Sequence, residues 1–215
     1  KTGKLDRRAG AGEDVPFPSP ASAPTTSELQ GMLRVIEKGR EPLARGQALT
    51  MAEDWVTQGD WVVRYGSQYA VRCGAGAPID QDMITSPSYH VSQAIGPRAR
   101  EDDGLRHWVS DTATDDPRSL YAPYVGHRRQ SEWDDHGEEY SMDVAGPDIW
   151  IKIDVPTGIH GISLYFVNND GTAGGNRWRD YIIDIRECRG DLADAFASSV
   201  LARTRVTQFF GGVYQ

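Results

Sequence analysis

Several features that define common protein classes are scarce or missing in this chain of 215 residues. Its two cysteines are too few for the several cross-links of a small disulfide-stabilised scaffold. They also lack the C-x-x-C spacing of zinc and redox sites. No apolar run approaches the roughly 20 residues that a membrane-spanning helix needs, so we expect a chain that does not span a membrane.

Positive charge and enzyme signatures are scarce as well. The chain has 23 Lys and Arg against 31 Asp and Glu, which gives a formal net charge of −8. Non-specific nucleic-acid binding requires a basic face that neutralises phosphates, so we expect no nucleic-acid partner. The sequence contains no P-loop, no G-x-G-x-x-G fingerprint and no G-x-S-x-G elbow, and these absences remove the usual signs of nucleotide-dependent and α/β-hydrolase enzymes.

Apolar residues that alternate with polar ones dominate the second half of the chain. Alternation with period two marks strands that have one face on a core and one face on water. Such runs are Ile149 to Val155, Ile162 to Phe166 and Tyr181 to Ile185, and a shorter one is Trp61, Val63 and Tyr65. Short strands with turn signals between them predict an all-β fold, an antiparallel β-sandwich of jelly-roll type with one or two short helices.

The first 50 residues have a different composition. Pro16, Pro18, Pro20 and Pro24 favour an extended N-terminal arm over residues 1–26. Ser27 is a helix N-cap signal that introduces a short helical segment, residues 27–50, and residues 51–215 form the predicted β-sandwich module. A lone short helix is marginal in water, so we expect residues 1–40 to bind other protein chains or domains. The start at Lys1 and the abrupt end after Gly211-Gly212 predict a processed chain or a piece of a larger protein.

Two stretches carry a resemblance to a known kind of module. GDWVVRYGS, residues 59–67, is similar to a GDWxGxYG pattern, and DDPRSLYAPYVGHRRQSEWDDHGEEY, residues 115–140, continues the similarity together with the strands that follow. The chain resembles poorly characterised modules of large secreted or envelope proteins of certain environmental bacteria. That resemblance implies a galactose-binding-like or carbohydrate-binding-module-like β-sandwich in an extracellular, periplasmic or cell-envelope location. The first pattern usually has glycine where this chain has Val63.

Tryptophans in polar loops are the candidate ligand-binding residues. Sugars stack their apolar faces on indole rings while polar side chains bind the hydroxyl groups. Trp178 lies in the Gly-rich stretch GGNRWRD beside Asn176, Arg177 and Arg179. Trp133 lies among charged residues and is a second candidate platform for a glycan. The alternative is that most of the six tryptophans pack in the core or under loops.

Acidic residues supply a candidate calcium site, the single cofactor that the sequence suggests. Calcium takes six to eight oxygen ligands and tolerates irregular loops. The candidate ligands are Asp134, Asp135 and Glu138 in the acidic stretch, and Asp170 in the turn Asn168-Asn169-Asp170-Gly171. The alternatives are a solvated acidic turn for the first group and ordinary turn chemistry for the second.

Cys73 and Cys188 form one disulfide in an oxidising compartment, or else they are two buried thiols. His107 and His136 can be combined with Ser110 or Ser131 as a catalytic triad, but no motif supports that combination. The prediction is a non-catalytic, exported module for binding or assembly, with carbohydrate recognition as its specific form. The alternatives are a purely structural subunit of a multiprotein assembly, anchored by its N-terminal arm, and a glycoside-acting hydrolase.

Overall fold

The computed structural model describes most of the chain after residue 42. It describes residues 43–76, 79–84, 86–95, 106–134, 148–168, 180–207 and 209–215, and also 26–27, 30–31 and 33–34. At a few strand positions, including Asp134, only the backbone is described. The short stretches between 26 and 34 are helical, which agrees with the helix predicted from Ser27. The predicted extended arm lies almost wholly outside the described residues.

The described residues form short antiparallel strands and very little helix, so the predicted all-β class is confirmed. In chain order the strands are β1 (Tyr69–Arg72), β2 (Gln81–Ile84), β3 (His90–Ile95), β4 (Arg106–Thr114), β5 (Leu120–Ala122), β6 (His127–Asp134), β7 (Ile149–Asp154), β8 (Tyr165–Phe166), β9 (Asp180–Arg186), β10 (Val200–Thr207) and β11 (Val213–Tyr214). Helix α1 (Leu192–Ala197) separates β9 from β10, and a 3₁₀ turn spans Phe209–Gly211. No described helix has the length and apolar character needed to cross a membrane.

The chain divides into two compact units. Unit 1 comprises residues 1–56, 164–185 and 200–215, and unit 2 comprises residues 57–163 and 186–199. Within unit 1, β8 pairs with β11 and β9 pairs with β10. Within unit 2, β1 pairs with β2, β3 pairs with β7, and β4, β6 and β5 form a three-stranded sheet in that order. The three alternating runs between residues 149 and 185 therefore pair with strands elsewhere in the chain and not with one another.

The core of unit 1 is built from its C-terminal residues. Val206, Phe209 and Val213 are buried, and Trp55, Phe166 and Ile183 pack against them. Burying each such side chain stabilises the fold by about 1.5–3 kcal/mol. Backbone hydrogen bonds of 3.1 and 3.0 Å join Asp54 and Tyr214 in both directions, so the stretch before unit 2 is tied to the end of the chain.

In unit 2 the two stretches that carry the resemblance contact each other. Trp61 is 5% exposed and its indole Nε1 donates a 2.9 Å hydrogen bond to the carbonyl of Tyr121. The backbone of Gly59 bonds in both directions, to the Pro117 carbonyl at 2.9 Å and from the Tyr121 N–H at 3.0 Å. A side chain at Gly59 would collide with the Ser119 carbonyl, so this close backbone approach requires glycine.

The strand predicted from Trp61, Val63 and Tyr65 is wrong, because this stretch forms a turn. The N–H groups of Arg64 and Tyr65 both bond to the Trp61 carbonyl, at 3.1 and 2.9 Å. Val63 has a φ of 76° and is 93% exposed. The alternation of apolar residues is therefore fortuitous here, and Val63 takes a left-handed conformation that glycine adopts far more easily.

Candidate functional site

The loop between β1 and β2 ends in a carboxylate that connects three parts of unit 2. Oδ1 of Asp80 accepts hydrogen bonds from the Gly74 backbone N–H at 2.6 Å, from His107 Nδ1 at 2.9 Å and from Trp133 Nε1 at 2.9 Å. Gly74 has a φ of 61°, so the loop turns back on itself at a position suited to glycine. We call Asp80, His107 and Trp133 the Asp80 cluster.

The sheet places the two aromatic members of the Asp80 cluster side by side. His107 lies on β4 and Trp133 lies opposite it on β6 in the antiparallel register. Directly opposite residues of an antiparallel pair point to the same face of the sheet, with Cβ atoms about 5 Å apart. The strand pairing therefore brings an imidazole and an indole together, and one carboxylate oxygen fixes both rings.

The hydrogen bond to Asp80 places a proton on one nitrogen of the His107 ring. A carboxylate oxygen only accepts, so Nδ1 of His107 carries this proton and Nε2 is the nitrogen left for another contact. The side chains of His107 and Asp80 are 23% and 13% exposed, and Trp133 is half-buried. The cluster is therefore rigid but still reaches solvent, with an indole ring and an imidazole nitrogen available to a ligand.

Cys73 lies at the start of the same loop. The pKa of its thiol is raised to about 11, mainly by burial; the Asp80 carboxylate contributes to the rise, and a hydrogen bond from the Trp133 backbone opposes it. The thiol is therefore protonated at neutral pH and is a poor nucleophile. Both Cys73 and Cys188 are free in the structure, so the disulfide considered from the sequence is not formed in it. The Cys188 thiol donates instead to the carbonyls of Gly190 and Asp191 at 3.4 and 3.3 Å.

Two arginines flank the loop that holds Asp80. Arg72, the last residue of β1, is 2% exposed, and its guanidinium donates to Gln81 Oε1 at 2.9 Å and to the Leu120 carbonyl at 3.0 Å. Arg129 on β6 donates to the Ala75 carbonyl. The Arg72 side chain therefore connects β1 to β2 and β5, and the Arg129 side chain connects β6 to the Cys73–Asp80 loop.

Most of the site residues predicted from the sequence cannot be placed. Trp178, Asn176, Arg177, Arg179, Asp135, Glu138 and Asp170 lie outside the described residues, and so does His136. For Asp134 the structure gives a position at the end of β6 and no side chain. Within the described part of the chain, no three His, Cys, Asp or Glu side chains are arranged to hold a metal ion. The predicted calcium site remains a prediction.

Trp133 is the one predicted ligand-binding residue whose surroundings are described. Sequence reasoning selected it for its charged neighbours, and it missed Asp80, Arg72 and Arg129. The available signal for Asp80 was its place at the end of the Gly-rich loop CGAGAPID, directly before a strand. His107 was considered only as a member of a triad with serine, whereas its partner is Asp80.

Unit 2 is thus an antiparallel β protein with a rigid carboxylate, imidazole and indole cluster on one face of a sheet. Comparison of the chain with protein-family models, with curated proteins and with solved structures returns no match.

Proposed function

We propose that the chain is a non-catalytic β-sandwich module of an exported protein or assembly, and that unit 2 binds carbohydrate at the Asp80 cluster. The observation that carries this proposal is the single carboxylate oxygen that holds both His107 Nδ1 and Trp133 Nε1 at 2.9 Å. The resemblance to carbohydrate-binding-module-like sandwiches adds the jelly-roll arrangement and the extracellular, periplasmic or envelope location to the proposal.

The chemistry of the cluster fits a sugar. Sugar rings present an apolar face of C–H groups that stacks on indole, and their hydroxyl groups both donate and accept hydrogen bonds. Trp133 supplies the stacking surface, and His107 Nε2 forms a hydrogen bond with a hydroxyl group. Because Asp80 already fixes both rings, binding costs little side-chain entropy, and such preorganisation increases affinity.

Hydrolysis is a weaker proposal for the same residues. An aspartate that orients a histidine is also part of catalytic triads, but those triads activate a nucleophile next to the histidine. The thiol beside this cluster belongs to Cys73, and burial together with the nearby Asp80 carboxylate raises its pKa to about 11. The environment of Cys73 therefore opposes nucleophilic chemistry.

A structural role in an assembly is the second candidate. It is favoured by large apolar side chains that the described residues expose: Val63 is 93% exposed, Val56 88%, Ile159 71% and Tyr124 68%. Sheets of two or three strands also leave strand edges that pair readily with another chain. In this role, residues 1–40 would anchor the chain to its neighbours.

A glycan array with matched variants tests the carbohydrate proposal. We expect retention of the wild-type chain on a subset of glycans, at least about tenfold weaker retention for Trp133→Ala, and a smaller loss for His107→Ala. Trp133→Phe keeps an aromatic face and should retain part of the binding. Trp55→Ala, which alters unit 1, is the control for a tryptophan outside the cluster. Equal retention of the wild type and Trp133→Ala would contradict the proposal.

A further inference from the structure

Arg72 and Arg129 differ from five other described arginines in lacking a carboxylate partner. Five described arginines form ion pairs with aspartate or glutamate: Arg118, Arg128, Arg189, Arg203 and Arg205. In the described part of the chain, Arg72 and Arg129 bond only to neutral acceptors, namely an amide oxygen and backbone carbonyls. Nε of each is buried and has no acceptor.

Hydrogen bonds and strand pairing connect Arg72 with Arg129. The carbonyl of Leu120 accepts from Arg72, and Leu120 lies directly opposite Arg129 in the β5–β6 register. Arg129 in turn bonds to the carbonyl of Ala75, whose N–H bonds to the Arg72 carbonyl at 3.2 Å. Each arginine is therefore connected to the other through a strand on one side and through the Cys73–Asp80 loop on the other.

A buried cation such as Arg72, with the half-buried Arg129 near it and no anion, is costly. Arginine is almost never fully buried unless it is paired, because its charge loses the hydration that water provides. Burial lowers the pKa of Arg72 to about 10, and repulsion from Arg129 contributes to the same shift. Neutral carbonyls satisfy part of the hydrogen-bonding capacity of the two groups, but they supply no negative charge.

We propose that Arg72 and Arg129 form a subsite for an oxyanion, a carboxylate or a sulfate group, donated by the ligand that unit 2 binds. The planar guanidinium fork matches the geometry of both groups. Arg129 is half-buried and therefore lies closer to solvent than Arg72, which is 2% exposed. The inference rests on the proposed carbohydrate function and narrows it to acidic saccharides, such as those that contain uronic acids or sulfate esters.

The spacing of residues along β6 gives the distance between this subsite and the Asp80 cluster. Arg129 and Trp133 lie on the same strand and the same face, four residues apart. At about 3.3 Å per residue, their backbone positions are separated by about 13 Å. The oxyanion therefore belongs to a sugar ring near the one stacked on Trp133 and not to the stacked ring itself.

Nitrogen-15 NMR of the arginine Nε–H groups in the full chain tests the subsite. The protein is titrated at constant ionic strength with sodium sulfate, sodium glucuronate, glucose and sodium chloride. We expect saturable shifts of the Arg72 and Arg129 Nε–H signals with sulfate and glucuronate, and none with glucose or chloride. The signal of Arg189, whose side chain is 80% exposed and paired with Glu187, should not saturate and serves as the internal control.

Variants test the same point by affinity. Arg129→Gln should weaken glucuronate binding about tenfold, the loss expected for one charge-assisted hydrogen bond, while Arg189→Gln leaves it unchanged. Arg129→Lys keeps the charge and loses the fork, so it should recover only part of the affinity. If Arg129→Gln does not fold, the NMR titration of the wild-type chain still decides whether the subsite binds an oxyanion.

The outcomes separate this inference from the function on which it rests. Weak shifts that spread over exposed arginines without saturation would mean an adventitious ion only and would overturn the subsite. Retention of neutral glycans that depends on Trp133, without any preference for acidic ones, would also overturn the subsite but leave the proposed function standing. Saturable anion binding together with retention of acidic glycans that is unchanged in Trp133→Ala would support the subsite and contradict carbohydrate recognition at the Asp80 cluster.

Discussion

The indole Nε1 of Trp133 donates a 2.9 Å hydrogen bond to Oδ1 of Asp80, a residue 53 positions earlier in the chain. The bond fixes the ring of a strand residue to the end of a loop from a different sheet. Because the same oxygen also holds His107 and the Gly74 N–H, the loop, β4 and β6 share one acceptor. Asp80 is therefore both a structural tie and the organiser of the proposed binding site.

Removing the Asp80 carboxylate should destabilise unit 2. Asp80→Ala leaves three donors without their acceptor, and we expect it to reduce the free energy of unfolding by about 3 kcal/mol. Asp80→Asn retains an acceptor without the charge and should cost about 1 kcal/mol. Urea unfolding followed by tryptophan fluorescence measures both. Asp82→Ala, which removes an exposed acceptor of the Tyr69 hydroxyl, is the control, and equal losses at positions 80 and 82 would refute the role of Asp80.

Replacing Val63 with glycine should stabilise the protein. Val63 has a φ of 76° and is 93% exposed, so its side chain makes little contact that would offset the left-handed backbone. Relieving that conformation contributes about 1 kcal/mol to the free energy of unfolding. Val62 lies in the same turn, two residues before Arg64, and has no positive φ. Val62→Gly should therefore destabilise the protein, because glycine increases the conformational entropy of the unfolded chain. A lower melting temperature for Val63→Gly than for the wild type would contradict this expectation.

Gly212 and Gly126 allow steric and conformational costs to be separated. Both have positive φ, 83° and 75°, but a side chain at Gly212 would collide with the Tyr165 hydroxyl, whereas nothing lies within 4 Å of one at Gly126. We expect Gly126→Ala to cost about 1 kcal/mol from the left-handed conformation alone, and Gly212→Ala to cost about 2–3 kcal/mol. Thermal and urea unfolding of the two variants provide the comparison. Similar costs would show that Tyr165 does not restrict position 212.

The thiol of Cys73 should be unreactive at neutral pH. Its pKa is raised by burial to about 11, so at pH 8 roughly one molecule in a thousand carries the thiolate. In a Cys188→Ser background, alkylation of the folded chain by iodoacetamide should accelerate about tenfold per pH unit between pH 8 and pH 10. The same chain in urea should react faster and level off near pH 9. A plateau near pH 9 for the folded chain would contradict the buried position of the thiol.

Parts of the fold were predictable because they depend on local pattern. The alternation of Ile149 to Ile153 and of Tyr181 to Ile185 correctly predicted β7 and β9, although burial does not alternate along either strand. The same pattern misled at Trp61 to Tyr65. There the backbone of Gly59 and the indole of Trp61 dock on residues 117–121, and this long-range contact replaces a strand by a turn.

The candidate site depends on contacts that no local pattern encodes. His107 and Trp133 lie 27 and 53 positions after Asp80 in the chain. The three residues meet only because β4 and β6 pair in one register and the Cys73–Asp80 loop folds over them. Arg72 and Arg129 read from the sequence as ordinary strand arginines. The burial of Arg72, the buried Nε of Arg129 and the lack of a carboxylate partner for either in the described residues are visible only in three dimensions.

The most direct test of the account is the indole region of a nitrogen-15 NMR spectrum during titration with acidic and neutral oligosaccharides. The chain has six tryptophans, and Trp133→Phe assigns the signal of Trp133 by its disappearance. The account predicts a saturable shift of the Trp133 Nε1–H signal with acidic oligosaccharides, with smaller changes or none at the other indoles. An unchanged Trp133 signal while another indole shifts, or no shift with any saccharide, would contradict carbohydrate recognition at the Asp80 cluster.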